Sequence, residues 1–170
     1  MSTLALTRSN ARRSRWVLTL LAGGLVFLLL FFTRAAEQTR DSLVYALAAK
    51  TGVEVFHPHH LIYTPVVRLF YQALAPVCPN CDAVFAGQVH NMLWAAVGIV
   101  ALFFLLRRLW NARMALVAVI LFFGLRGYWE LATQTTMYVP GAAVLTVLSA
   151  VLLGAPPKMG IGRTALIGAL

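Results

Sequence analysis

The sequence predicts an all-α protein that crosses a membrane several times, with a loop of juxtamembrane helices outside the membrane after the first span. Hydrophobic residues make up 61% of the 170-residue chain, charged residues only 11%, and the mean hydropathy is +0.81. Such a composition lies outside the range of soluble domains, so hydrocarbon is the expected solvent. In addition, several apolar runs approach the roughly 20 residues that a transmembrane helix needs.

The first apolar run predicts a span at about 16–33. A cleaved signal peptide is the alternative, but the run is long for such a segment and Arg34 interrupts the small residues expected at a cleavage site. We therefore expect a retained helix. Further spans are predicted at 83–106, 112–129 and 137–155, and a fifth apolar run begins at 164. That last run is too short to cross a bilayer, so we expect the chain to be C-terminally incomplete.

Charge sorting predicts the orientation. With a cytoplasmic N-terminus, the short segments inside would carry only basic residues, as the positive-inside rule requires. All acidic residues would then lie outside, four of them in the loop 34–82: Glu37, Asp41, Glu54 and Asp82, with Glu130 further on. We expect a multi-pass protein of the cytoplasmic membrane. The net charge of +9 follows from this topology and attracts anionic membrane lipid, whereas nucleic-acid binding would need a basic face on a soluble domain.

The external loop has two predicted helices. Asp41 is expected to N-cap the first, which runs to about Lys50 and stops at Gly52, with one apolar face formed by Leu43, Val44 and Leu47. The second runs from 61 to 74 as an interfacial helix, with Arg68 and Gln72 on one side and apolar residues on another: Ile62, Val66, Leu69, Phe70 and Ala73.

Three histidines lie between these helices, on a segment that Pro58 and Pro65 make extended or turning: His57, His59 and His60. Their spacing differs from the i, i+4 pair of a helical zinc site. Substrate contact, a structural role and metal ligation remain open for them. His90, by contrast, is expected to pack at the end of the second span.

The Cys78-Pro79-Asn80-Cys81 motif predicts a local disulfide if the outer compartment is oxidising. Two free thiols, or a redox or metal role, are the alternatives. Asp82 follows the motif where covalent haem attachment would need a histidine.

Several motifs occur in the order found in one enzyme class: Asp41-Ser42-x-x-Tyr45-Ala46, Phe56-His57-Pro58-His59-His60-Leu61, Asn91, Gly127-Tyr128-Trp129 and Tyr138-Val139-Pro140. Together they resemble multispanning bacterial glycosyltransferases of the GT-C superfamily, over about 16–153. The resemblance implies an enzyme, or its N-terminal part, that transfers a sugar from a polyprenyl-phosphate donor to an acceptor at the outer membrane face. It also implies that Asp41 belongs to the active site. In similar sequences a Glu is expected shortly before the tyrosine matching Tyr138, where this chain has Gln134-Thr135-Thr136-Met137.

The transfer needs a carboxylate that accepts a proton or holds a divalent metal, and a cation that stabilises the departing lipid phosphate. Asp41 is the catalytic candidate, with a plain helix cap as its structural alternative. The substrate-binding candidates are Arg40, Tyr45, His57, His59, His60, Arg68 and Arg126. For Arg126 the alternatives are an anchor at the membrane surface and a partner for Glu130 or a lipid phosphate. A non-enzymatic membrane protein, such as a transporter fragment or accessory subunit, is the alternative function.

Overall fold

The computed structural model describes residues 3–56 and 61–153. These residues form seven helices and no strand: α1 Thr3–Phe32, α2 Arg40–Thr51, α3 Tyr63–Leu74, α4 Ala83–Leu109, α5 Ala112–Phe123, α6 Arg126–Ala132 and α7 Tyr138–Leu153. The predicted all-α class is therefore confirmed over the described chain. The histidine segment 57–60 and the apolar run from 164 lie outside the described residues.

One helix of the described chain, α4, is long and apolar enough to cross a membrane by itself. At 1.5 Å per residue its 27 residues measure about 40 Å. The apolar part of α1, Val17–Phe32, and all of α7 are shorter apolar helices. Crossing of the membrane by more than one helix stays a prediction.

The predicted span at 112–129 is not one straight helix. It consists of α5 and α6, which are bent by 70° with a break at Gly124 and Leu125. The α5 helix begins at an Asn111 cap, whose side chain accepts a hydrogen bond from the Met114 backbone N–H, and is only 12 residues long. The apolar run ends at Leu125 and is followed by the aromatic residues Tyr128 and Trp129, which is why the sequence predicts a single span.

Helix α4 is the centre of the fold, because it contacts each of the other six helices. Near its start, Met92 and Ala95 are fully buried against Leu30 of α1, Ala132 of α6 and Val139 of α7. At its other end, Arg108 donates a hydrogen bond to the Ala150 carbonyl near the end of α7, so α4 and α7 run parallel. The loop helices α2 and α3 pack on each other and on α4.

The prediction that Asp41 caps α2 is wrong. Thr39 is the N-cap residue, and its hydroxyl accepts a hydrogen bond from the Ser42 backbone N–H, whereas Asp41 lies in the first helical turn. The predicted stop at Gly52 is confirmed: this residue has φ 78°, a left-handed conformation that glycine adopts without strain, and it caps the helix.

The loop helices pack on the protein through residues other than those of their predicted apolar faces. In α2 the small residues Ser42, Ala46 and Ala49 are buried against the protein, whereas the predicted apolar face, Leu43, Val44 and Leu47, is exposed. In α3 the protein-facing residues are Tyr63, Thr64 and Val67, and the apolar residues Ile62, Val66 and Leu69 are exposed. Both helices therefore turn large apolar side chains away from the protein.

Candidate functional site

A layer of buried polar side chains lies where α2, α3 and the segment before α7 meet the first turns of α4. Its members are Ser42, Thr64, Gln88, His90, Asn91, Thr133, Thr135 and Thr136. Buried polar groups are costly unless they are hydrogen-bonded, so the partners of each decide what this layer does.

Asn91 is fully buried at the centre of the layer. Its side-chain NH₂ donates to the carbonyls of Gln134 and Thr136, both at 2.6 Å, and its Oδ1 accepts from the Tyr63 hydroxyl at 3.0 Å. One amide thus uses both its donors and its acceptor. It joins α4 to α3 and to the chain segment that leads into α7.

Gln88, one helical turn earlier on α4, makes a parallel set of bonds. Its NH₂ donates to the carbonyls of Ala35, at 2.9 Å, and Thr133, at 2.8 Å. It therefore ties the segment after α1 to the end of α6. Neither segment has regular secondary structure. The side chain of Gln88 therefore supplies hydrogen bonds to carbonyls that have no partner within a helix.

His90 faces an aromatic environment. Its Nε2 lies 3.0 Å from the Trp94 indole nitrogen, and its ring meets those of Tyr63 and Phe70 edge-on, with centroids 5.9 and 5.7 Å away. Because an indole N–H can only donate, Nε2 accepts and the ring proton is on Nδ1, which points to Asn91 Oδ1 at 3.4 Å. This is the packed position expected for His90.

The buried layer supports an exposed cluster at the start of α2. Gln134 Oε1 lies 3.2 Å from the Thr39 hydroxyl and 3.5 Å from that of Ser42, and Asp41, the residue before Ser42 in the same helical turn, is exposed. Gln134 also lies in the segment just before Tyr138, where the GT-C resemblance leads us to expect a Glu. The segment in which a Glu is expected therefore contacts the first turn of α2, and this turn carries Asp41.

Tyr45 is one turn further along α2 and is half-buried, with its ring edge-on to Tyr63 at 5.4 Å between centroids. Burial raises the pKa of its phenol, and the negative charge of Asp41 and the nearby Tyr138 raise it further. Asp41, Tyr45 and Tyr138 are therefore electrostatic neighbours. A carboxylate, two phenols and an amide group together on this surface, which we call the α2 cluster (Asp41, Tyr45, Gln134 and Tyr138).

Arg68 lies apart from the α2 cluster, at the opposite end of α2. Its guanidinium donates to the carbonyls of Ala49, at 2.9 Å, and Lys50, at 3.4 Å, which are among the last of the helix. The cation thus satisfies carbonyls that have no intrahelical partner and lies at the negative end of the helix dipole. This position gives Arg68 a structural role.

Arg126 occupies a third place, on α6. It is exposed and pairs with Glu130, with 2.7 Å between Nε and Oε1. Both residues line a recess of about 340 Å³ together with Thr33, Ala35, Gly124, Trp129 and Thr133. The pairing with Glu130 is one of the two alternatives that the sequence left for this residue.

Of the substrate-binding candidates, only Tyr45 and Arg40 lie close to Asp41 along α2, and Arg40 is exposed at the first position of that helix. The three histidines of 57–60 are outside the described residues. Cys78 and Cys81 form a disulfide in the turn before α4. Within 3–56 and 61–153, no three His, Cys, Asp or Glu side chains come together as a metal-binding group.

Sequence reasoning missed Gln134 and the threonines around it as parts of the site. Their signal is the run Thr133-Gln134-Thr135-Thr136 between apolar segments, together with Gln88 and Asn91 on one helix, because polar residues in apolar surroundings require partners. Comparison of the chain with protein-family models, with curated proteins and with solved structures finds no match.

Proposed function

We propose that this chain is a membrane glycosyltransferase, or the N-terminal part of one, that transfers a sugar from a polyprenyl-phosphate donor to an acceptor at the outer face of the cytoplasmic membrane. The observation that supports this best is the α2 cluster: an exposed carboxylate, Asp41, on a helix that is held to the bundle through Ser42, Gln134 and the Asn91 layer. A reactive group needs such rigid support to stay in a productive geometry.

In this proposal the Asp41 carboxylate accepts the proton of the acceptor hydroxyl as its oxygen bonds to the sugar and the bond between the sugar and the polyprenyl phosphate breaks. Alternatively, Asp41 would hold a divalent metal that stabilises the charge of the departing lipid phosphate. Tyr45, Gln134 and Tyr138 would hydrogen-bond to the sugar hydroxyl groups. The exposed apolar residues of α2 and α3, such as Leu47 and Leu69, would lie in the membrane interface, where a lipid-borne donor arrives.

The proposed topology places the N-terminus inside and the loop 34–82 outside, in a multi-pass protein. Two facts of the fold support it. Arg107 and Arg108 lie in the last turn of α4, whereas α3 is bonded to Asn91 and α6 packs on Met92, about 24 Å earlier along that helix. The end of α4 that carries Arg107 and Arg108 therefore lies away from every acidic residue, in agreement with the positive-inside rule, whereas the other end carries charges of both signs.

Labelling tests this topology in intact cells. Single cysteines at Glu54 and at Arg108, in a chain with Cys78→Ser and Cys81→Ser, are treated with a membrane-impermeant thiol reagent. We expect the cysteine at 54 to react and the one at 108 to react only after the cells are opened. The reverse pattern would overturn the orientation.

Asp41→Asn tests the enzyme proposal. With the complete gene product, its donor lipid and matched expression, we expect transfer to fall by about 10²-fold or more, because the amide cannot accept a proton. Glu37→Gln and Glu54→Gln are the matched controls and should retain transfer. If one of these controls abolishes transfer while Asp41→Asn does not, another residue is the base.

A non-enzymatic membrane protein remains the second candidate. One observation favours it: the buried polar side chains bond to one another and to main-chain carbonyls, so a structural role accounts for them without a substrate. If the complete gene product shows no transfer with its donor lipid, this candidate is preferred and the transferase proposal falls. If transfer persists in all three variants, none of these carboxylates is the base.

A further inference from the structure

A second site is indicated at the other end of the bundle, in a groove of about 470 Å³ between α1, α4 and α5. Its walls are formed almost entirely by apolar side chains, among them Leu18 and Leu29 of α1, Phe103 of α4 and Phe123 of α5. Arg107 is the one charged residue that lines the groove. The groove is therefore long and apolar, with a single cation in its lining.

The dimensions of the groove match one leaflet of a bilayer. From Leu18 to Leu29 the helix rises about 16 Å, which is half of the roughly 30 Å hydrocarbon core. Phe123 lies at the end of α5, where the chain bends away. Since α4 runs antiparallel to α1, Arg107 lies at the Leu18 end. The apolar groove thus begins beside a cation and extends along α1 to Leu29, three residues before the helix ends at Phe32.

Arg107 has no carboxylate partner in the described part of the chain, where the single ion pair is Arg126–Glu130. Its neighbours Arg108 and Arg113 are also basic, and both are exposed. A cation at a membrane surface is stabilised by an anion at the same depth, and lipid phosphate is the anion found there. Charge complementarity thus selects an anionic lipid over a neutral apolar ligand.

We propose that this groove binds one anionic phospholipid, with its phosphate at Arg107 and one acyl chain along α1 as far as Phe123. The proposal rests on the membrane embedding proposed above and not on the transferase activity. It assigns a ligand to the end of the bundle opposite the α2 cluster.

Native mass spectrometry of the purified chain in an uncharged detergent tests the proposal. Phosphatidylglycerol and phosphatidylcholine with the same acyl chains are the probes, and the bound fraction is titrated for each lipid. We expect phosphatidylglycerol to bind more tightly. Arg107→Gln should weaken its binding by roughly fivefold, the value of one basic residue near a charged membrane surface. Arg113→Gln, which removes an equal charge from an exposed position outside the groove, should leave it within about twofold.

A second variant tests the groove itself. Ala22 lines the groove, so Ala22→Phe should reduce the binding of both lipids, whereas Leu21→Phe on the exposed side of α1 should not. Equal losses in Arg107→Gln and Arg113→Gln, or full binding in Ala22→Phe, would overturn the site. Treatment of membranes with alkaline carbonate tests the membrane embedding separately. If this treatment releases the chain, the embedding on which the site depends is disproved.

Discussion

The side-chain amide of Asn91 donates to the main-chain carbonyl of Gln134 across 2.6 Å, so a residue inside α4 fixes a residue on the surface. Gln134 in turn places its own side chain beside Thr39 and Ser42 at the start of α2. The position of the exposed Asp41 therefore depends on a chain of contacts that begins in the buried layer. Several experiments can test the links of that chain separately.

Asn91→Ala should destabilise the protein more than any surface substitution. It leaves the carbonyls of Gln134 and Thr136 and the Tyr63 hydroxyl without their partner in a buried place, at a cost of about 1–3 kcal/mol for each unsatisfied group. Thermal unfolding in detergent measures the effect. Gln72→Ala, on the exposed side of α3, is the control and should leave the midpoint unchanged. Equal midpoints for the two variants would contradict the role of Asn91.

Gly87→Ala should also destabilise the fold, because a Cβ at Gly87 would overlap the side chain of Thr135. Overpacking of this kind costs about 1–3 kcal/mol. At Gly141 a Cβ meets no atom within 4 Å, so Gly141→Ala is the matched control and should be neutral or stabilising. The double variant Gly87→Ala with Thr135→Ala should recover part of the loss. If the double variant is no more stable than Gly87→Ala alone, the loss does not come from overlap with the Thr135 side chain.

Arg68→Met should loosen the C-terminal turn of α2, while it keeps an unbranched apolar chain in place of the aliphatic part of the arginine. The carbonyls of Ala49 and Lys50 lose their donor, and the helix dipole loses a nearby cation, for about 1 kcal/mol. Hydrogen exchange at the amides of 46–52 should accelerate. Arg126→Met, which breaks an exposed i, i+4 pair, should leave exchange in α2 as it is. Unchanged exchange in Arg68→Met would contradict the capping role.

Ionisation of Tyr63 makes the free energy of unfolding depend on pH in the alkaline range. Burial raises its pKa above the ordinary value of 10.0, and the neighbouring Tyr45 adds to the rise. The unfolded chain therefore ionises at this residue first. The stabilisation is fully present below pH 10 and is lost as the pH rises from 10 toward the raised pKa of the folded state.

Tyr63→Phe removes that titration, so above pH 10 its free energy of unfolding should fall less steeply than that of the parent, by about 1.4 kcal/mol per pH unit. Denaturant unfolding at pH values between 9 and 12 measures the two slopes. Parallel slopes would show that the Tyr63 phenol ionises as readily in the folded state as in the unfolded chain.

The sequence predicts where the helices of this fold lie along the chain better than it predicts which residues the helices contact. The bounds of α4 and α7 follow from long apolar runs, and Gly52 marks the end of α2 because a left-handed residue is needed there. The N-cap of α2 is Thr39 and not Asp41; both residue types cap helices, so residue type alone does not decide which of two nearby positions is the cap. The apolar face of α2 was identified, but hydropathy does not say whether such a face meets protein or lipid.

The contacts of Asn91 could not be predicted, because its partners Gln134 and Thr136 lie more than 40 positions away. Only the general rule that polar groups in apolar surroundings find partners applies at that distance. The bend between α5 and α6 is not predicted either, because hydropathy shows how far an apolar run extends, to Leu125 here, but not the direction that the chain takes after it.

The last prediction separates the structural role of the α2 turn from its chemistry. Thr39→Ala removes the N-cap and the contact to Gln134, and should cost about 1 kcal/mol of stability. Asp41→Asn removes only the charge of an exposed residue that caps nothing, so the unfolding midpoint should stay close to that of the parent. Thermal unfolding of both variants beside the parent provides the comparison. If Asp41→Asn unfolds as early as Thr39→Ala, the carboxylate holds the helix in place, and a loss of sugar transfer in that variant no longer identifies the catalytic base.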